Sequence, residues 1–249
     1  MLRRLVSLSV MILVLGIFSA GLASAEQRLW NVPSPDVLDQ GQLNMTVPML
    51  LRPWSTANGP ASESTYMQGV YGLGTIGLLP ASEVGLIVGP IDLRNLNRSN
   101  PFADASLKMR LFRTELSTGN TATQFEGMIG DSIGVGLSGA TSGHVRNFAY
   151  GGLSARFGLT GTRISAGPYH ATKDAFDDRS RLGGQFTFEQ PLALVPGLSL
   201  TTDFQTGHNG TFTPGIMWTK GPLTLGVGYG LSNNGRKSDS VIALGSFTF

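Results

Sequence analysis

GPLTLGVGYGLS (residues 221–232) and DSVIALGSFTF (239–249) end the chain in two strand-like runs. In the first, Leu223, Leu225, Val227, Tyr229 and Leu231 alternate with Thr224, Gly226, Gly228 and Gly230. After a polar break, Val241, Ala243, Gly245, Phe247 and Phe249 repeat the spacing up to the last residue. Strand side chains point to opposite faces with a period of two, so each run predicts one apolar face and one face of small or polar residues. A soluble sandwich alternates in the same way, but soluble termini tend to be polar and frayed. This chain stops on its apolar face, with an aromatic residue.

The other end has a different grammar. Arg3 and Arg4 precede an apolar run from Leu5 to Phe18, and Ala23-Ser24-Ala25 comes just before Glu26. That is the layout of a secretory signal peptide over residues 1–25, with cleavage expected near Ala25. The apolar run is shorter than the roughly 20 residues a spanning helix needs, and no later stretch of the sequence is long and apolar enough to be one. Yet the 249 residues include 34 glycines, only 14% are charged, and mean hydropathy is near zero. Such a balance is expected when every second residue is apolar. Removing the two leader arginines, and no acid, leaves sixteen bases against sixteen acids. The basic balance therefore belongs to the leader and gives no support to nucleic-acid binding. With no cysteine, disulfides, thiolate-bound zinc and a thiol nucleophile are excluded.

Together, the leader and the terminal aromatic strand carry a resemblance. Val241, Ala243, Phe247 and Phe249 resemble the final strand of Gram-negative outer-membrane β-barrels, and Phe247 and Phe249 stand where those proteins carry the assembly signal. The resemblance implies a bacterial outer-membrane location, with outer-membrane lipid, lipopolysaccharide and the barrel-assembly machinery as partners. The mature start is Trp30-Asn31-Val32-Pro33-Ser34-Pro35-Asp36-Val37-Leu38-Asp39-Gln40-Gly41. It is similar to the Asn-x-Pro-(Thr/Ser)-x-(Asp/Glu)-Val-Leu-x-x-Gly opening of a broad, porin-like group of uncharacterised outer-membrane barrels, with Pro35 where Ala is common. That resemblance implies a fold and a location, and no substrate. Its prolines forbid regular helix or central strand, so residues 26–40 are expected as a periplasmic segment ahead of a barrel over 41–249.

Between Gly41 and the C-terminus the sequence shows about twelve alternating segments, each near the roughly 9–11 residues a tilted membrane strand requires. The expected fold class is all-β: a closed, up-and-down antiparallel transmembrane barrel of about twelve strands, within a range of about ten to fourteen. With the N-terminus in the periplasm, the external connections are 53–67, 94–103, 141–146, 172–181, 208–210 and 232–239. The periplasmic ones are 80–82, 115–122, 158–161, 191–197 and 220–222. The external set is the longer on average, as in bacterial barrels, although 208–210 and 115–122 run against the trend. Trp54, Phe148, Trp218, Tyr229, Phe247 and Phe249 fall near strand ends and are expected as interfacial girdle residues.

Alternation places Glu83, Lys108, Arg110, Glu126, Arg156, Arg163, Glu189 and Asp203 on inward faces as candidate lumen-lining residues. A Lys or Arg facing lipid at the midplane would cost about 2–4 kcal/mol. Four acids and four bases admit two readings: walls of a hydrated channel, or ion pairs that fill a closed interior. A ring of about eight strands is filled by side chains, while one of sixteen or more leaves a pore. The inward glycines Gly134, Gly136, Gly226 and Gly228 tilt the expectation toward a passive pore or channel for small polar solutes. A closed structural or surface-binding barrel acting through its external loops is the alternative.

Catalysis finds little support. His144 and His208 fall in loops, and His170 ends a strand facing outward. A lipid hydrolase would pair His170 with a rim serine such as Ser180, but no serine lies two residues from His170. A lone histidine without an oriented nucleophile is not a triad. No His-x-x-x-His metal spacing occurs, and Gly69, Gly72, Gly74 and Gly77 lead into no helix, which excludes a phosphate-binding loop. No enzyme activity, metal or cofactor is expected. Asp174, Asp177, Asp178, Arg179 and Arg181 gather in one external loop that offers contacts to a divalent ion or lipopolysaccharide.

Overall fold

A computed structural model describes residues 32–34, 36–51, 69–91, 101–118, 121–138, 142–172, 181–207, 210–232 and 239–249. Twelve strands close into one antiparallel barrel in which each is bonded to its sequence neighbours. They are β1 (Leu43–Leu51), β2 (Gly69–Leu79), β3 (Ser82–Ile91), β4 (Phe102–Thr118), β5 (Thr121–Gly136) and β6 (Val145–Phe157). The ring continues with β7 (Arg163–Ala171), β8 (Leu182–Pro191), β9 (Leu198–Gln205), β10 (Thr211–Lys220), β11 (Leu223–Ser232) and β12 (Ser240–Thr248). No helix of the described residues is long and apolar enough to cross a membrane.

β12 closes the ring against β1, with Met45 opposite Phe247 and Val47 opposite Gly245. Leu43 and Phe249 exchange two backbone hydrogen bonds, of 3.3 and 2.8 Å. On the inner side of the seam, Asn44 Nδ2 donates to Ser246 Oγ (2.9 Å) and Thr248 Oγ1 (2.8 Å), and Thr46 Oγ1 donates to Asn44 Oδ1. Along most strands the outward positions are exposed and apolar, among them Val47, Leu86, Leu107, Ile133, Leu153, Ile216 and Val227. Inward positions are buried and mostly polar, such as Thr75, Ser132, Thr187, Asp203 and Thr213. This is an inside-out distribution for water and the distribution an outer-membrane barrel needs: apolar side chains face lipid, while the closed ring pairs strand backbone with strand backbone.

Three departures from the alternation carry information. First, 115–122 is not a broad turn: β4 runs to Thr118, β5 starts at Thr121, and the pairing reaches Thr118 opposite Thr121. A bulge between Arg110 and Phe112 re-phases β4, which brings Arg113 opposite Glu126 and hides the period of two from a sequence reading. Shortening this connection removes one of the two exceptions to the loop-length trend. Second, Phe148 is not a girdle residue. It faces inward at 7% exposure and stacks on Tyr150 and Tyr169 at 5.6 and 5.5 Å. β6 starts at Val145, so the residues sharing Phe148's face are Arg146 and Tyr150. Third, the inner face of β12 is not all small or polar, because Ile242 and Leu244 are buried against Met217 and Leu50. Trp54 lies outside the described residues; Trp218, Tyr229, Phe247 and Phe249 occupy outward positions near strand ends.

Candidate functional site

The inward charges meet the start of the chain. Residues 32–34 and 36–38 run inside the ring, with Val32, Ser34, Val37 and Leu38 all buried. An irregular segment has no ladder to satisfy its peptide groups, so each buried donor and acceptor needs another partner. The inward side chains supply them. Val32 N donates to Asp203 Oδ2 at 3.0 Å, from the opposite end of the sequence. Leu38 N donates to Glu83 Oε2 at 2.8 Å. Lys108 Nζ donates to the carbonyl oxygens of Ser34 (3.2 Å) and Asp36, and sits 2.7 Å from Glu83 Oε1.

Asp36 is the centre of this network. Its carboxylate accepts from Arg163 Nη1, lies 3.9 Å from Arg156 Nη2, and is braced by Ser34 Oγ at 3.1 Å. Arg163 also reaches Glu189 Oε2 at 2.5 Å, so one buried guanidinium joins β7, β8 and the N-terminal segment. Burial alone would raise the Asp36 pKa, but the facing Arg163, Arg156 and Lys108 outweigh it and hold the carboxyl at about 2. The segment is seated as closely as backbone allows. A Cβ on Gly77 of β2 would stand 2.1 Å from the carbonyl oxygen of Asp39 and 3.0 Å from that of Leu38. Pro33, the Lys108–Glu83 pair and Tyr150 line a cavity of about 30 Å³, room for one or two waters.

Of the eight candidate lumen residues, Glu83, Lys108, Arg156, Arg163 and Asp203 therefore gather around Val32, Ser34, Asp36 and Leu38, with Glu189 joined through Arg163. Glu126 instead pairs with Arg113 at 2.9 Å, where Arg113 is half exposed. Arg110 sits beside the bulge at the barrel's edge, with Nη2 donating to the Pro80 carbonyl at 3.0 Å. Alternation of the strands gave no sign of Asp36, Ser34 or Val32, because they stand outside any strand. The available signal was composition: a short acidic segment attached to a ring whose inward faces carry buried cations.

One further charge was passed over in the charge sorting. Asp131 is exposed on the outer face, in register with Leu107 and Ala149 and flanked on its own strand by Ile129 and Ile133. Its Oδ1 accepts from Asn147 Nδ2 at 2.6 Å. Its parity with Ile129 and Ile133 was legible and marks it as the acid on the wrong side. His170 is outward and exposed on the same side of the barrel, while Ser180, Asp174, Asp177, Asp178, Arg179 and His208 lie outside the described residues. His144 sits exposed ahead of β6. Among the described residues no three metal-ligating side chains converge.

No protein-family model matches the chain, and no curated protein is similar to it in sequence. Among solved structures it is similar to the outer membrane phospholipase A from Escherichia coli, at 14% identity and a TM-score of 0.48, over 84% of this chain and 95% of that one. An active-site mutant of that phospholipase, at pH 6.1, matches at 14% identity and a TM-score of 0.49, over 84% and 89%. Likeness at this level is one of strand layout and transfers neither activity nor residue roles.

Proposed function

We propose that this chain is an outer-membrane β-barrel closed on its own N-terminal segment: a non-conducting barrel that works through its external surfaces, not a passive pore and not an enzyme. The observation that carries this reading is the position of Asp36, held inside the ring by Arg163 while Lys108 holds the backbone on either side. Twelve strands lie between a ring that fills itself and one that leaves a pore. Here part of the excess space is taken by main chain, and the charges that could have coated a channel are spent on ion pairs and on the segment's peptide groups.

The test is conductance of the mature chain in planar bilayers, beside a variant lacking residues 26–38. The intact chain is expected to show no steady conductance, and the shortened one to open. Steady ohmic conductance from intact, folded protein would overturn the proposal and return the chain to the pores.

A further inference from the structure

On the outer face, one row of paired residues crosses eight strands, from Leu43 on β1 through Leu107, Asp131, Ala149 and His170 to Leu182 on β8. Asp131 is the one acidic side chain in an outward strand position among the described residues, and an ionisable group on a lipid-facing surface needs a partner. Asn147 satisfies one oxygen of its carboxylate. No cation meets Asp131 among the described residues, and His170 makes no hydrogen bond or ion pair there. Both are exposed. They stand on either side of Ala149, two strand spacings or about 10 Å apart.

We infer that this face is a symmetric docking surface for a second copy of the same chain, in which Asp131 of each copy pairs with the partner's His170. Barrels in one membrane share an orientation, so two copies can be related only by a two-fold axis along the membrane normal. A two-fold interface is self-complementary: if one residue contacts a second, the second contacts the first. An axis beside Ala149 exchanges the two flanking positions and gives each carboxylate one imidazole, two pairs in all. At a strand tilt near 40°, the row climbs about 3 Å per strand, which places His170 about 6 Å nearer the loop end than Asp131. The side chains span that difference. Asn147 lies opposite Ile133, two residues beyond Asp131 toward the same end, and its hydrogen bond swings the carboxylate in that direction. The strand between them, β6, turns Ala149 and then Gly151 outward, so the point nearest the axis carries only small residues.

The absence of cysteine makes the test clean. Ala149→Cys in the full mature chain, in outer-membrane vesicles under mild oxidation, is expected to form a covalent dimer, because residues at the axis come within disulfide reach. In that background, Asp131→His alone and His170→Asp alone should each reduce cross-linking at least tenfold, by facing two bases or two acids. Co-expressed, the two variants should restore it, since each then offers what the other lacks. Heat-modifiable mobility on gels shows that every variant is folded. A folded Ala149→Cys chain that does not cross-link overturns the inference. Folded single variants that fail to complement overturn it as well, and an Asp131–His170 pair within one barrel could not produce complementation. Lipid that co-purifies with a monomeric chain and is lost in Asp131→Leu would assign the face to lipid instead.

Discussion

Replacing Asp36 by Asn removes the charge at the centre of the lumen network and keeps its shape. The carboxyl is held at about 2 against an ordinary 3.8. A displacement of that size corresponds to roughly 2.5 kcal/mol. A quarter of the side chain remains exposed, and the contact with half-exposed Arg156 at 3.9 Å contributes little, so about 2 kcal/mol of seating energy is the better figure. Arg163 keeps Glu189 and is not left unpaired. A loss of about 2 kcal/mol raises the open population of the segment roughly 30-fold. Hydrogen exchange at the Val32 and Leu38 amides reads this directly, because both are buried and bonded only to side chains of distant strands. Since the folded pKa lies below the unfolded one, the stabilisation is present in full above about pH 4 and is lost as the pH falls toward 2. Exchange in the wild type should therefore be protected equally at pH 5 and pH 8 after correction for intrinsic rates. Equal exchange in wild type and Asp36→Asn would refute the argument, as would a wild-type segment that releases between pH 5 and 8.

Further outcomes follow from the same contacts. Gly77→Val places side-chain atoms where the Asp39 carbonyl lies 2.1 Å from a Cβ; the barrel should stay folded while residues 32–40 become cleavable by added protease. Lys108→Met leaves Glu83 buried without its cation and should destabilise by about 3–5 kcal/mol; adding Glu83→Gln should recover most of that loss in a double-mutant cycle of thermal unfolding. Deleting Phe249 removes two seam hydrogen bonds of 3.3 and 2.8 Å, a loss of about 2 kcal/mol, read as a lower temperature for the gel-mobility shift of the heated protein.

Most of the ring was legible because a period of two is a local property. Leu223 to Leu231 declare a face without reference to anything else in the chain, and the terminal Phe249 declares which face meets lipid. What could not be read depended on partners far away. The bulge beside Phe112 shifts the register by one, and only the opposite strand, with Glu126 across from Arg113, shows it. Phe148 looks like any aromatic near a strand end until the start of β6 at Val145 sets its phase. For the lumen, parity alone puts Glu83 and Lys108 on the face opposite Leu86 and Leu107. Nothing local says that Glu83 waits for the amide of Leu38, or Asp203 for that of Val32. Asp131 is the reverse case: its face was readable, but the assumption that charges turn inward concealed it.

The order of the contacts also constrains when the lumen can be filled. The N-terminal segment precedes every strand, yet its partners lie on β3, β4, β6, β7 and β9, and the Val32–Asp203 bond joins residues 171 apart. Each contact requires closing a long loop before it contributes. None of the partners faces a common interior until the ring has curved, so the segment gains little from a half-built sheet. Its seating is therefore coupled to closure of β1 on β12. Because β1 begins only a few residues after Leu38, the seated segment in turn holds β1 against the ring at the seam, beside the Asn44–Ser246–Thr248 bonds. On this argument, weakening Asp36 or Lys108 should do more than loosen the segment: it should also slow appearance of the heat-modifiable form during refolding, whereas the outer-face variants at Asp131 and His170 should leave that rate unchanged.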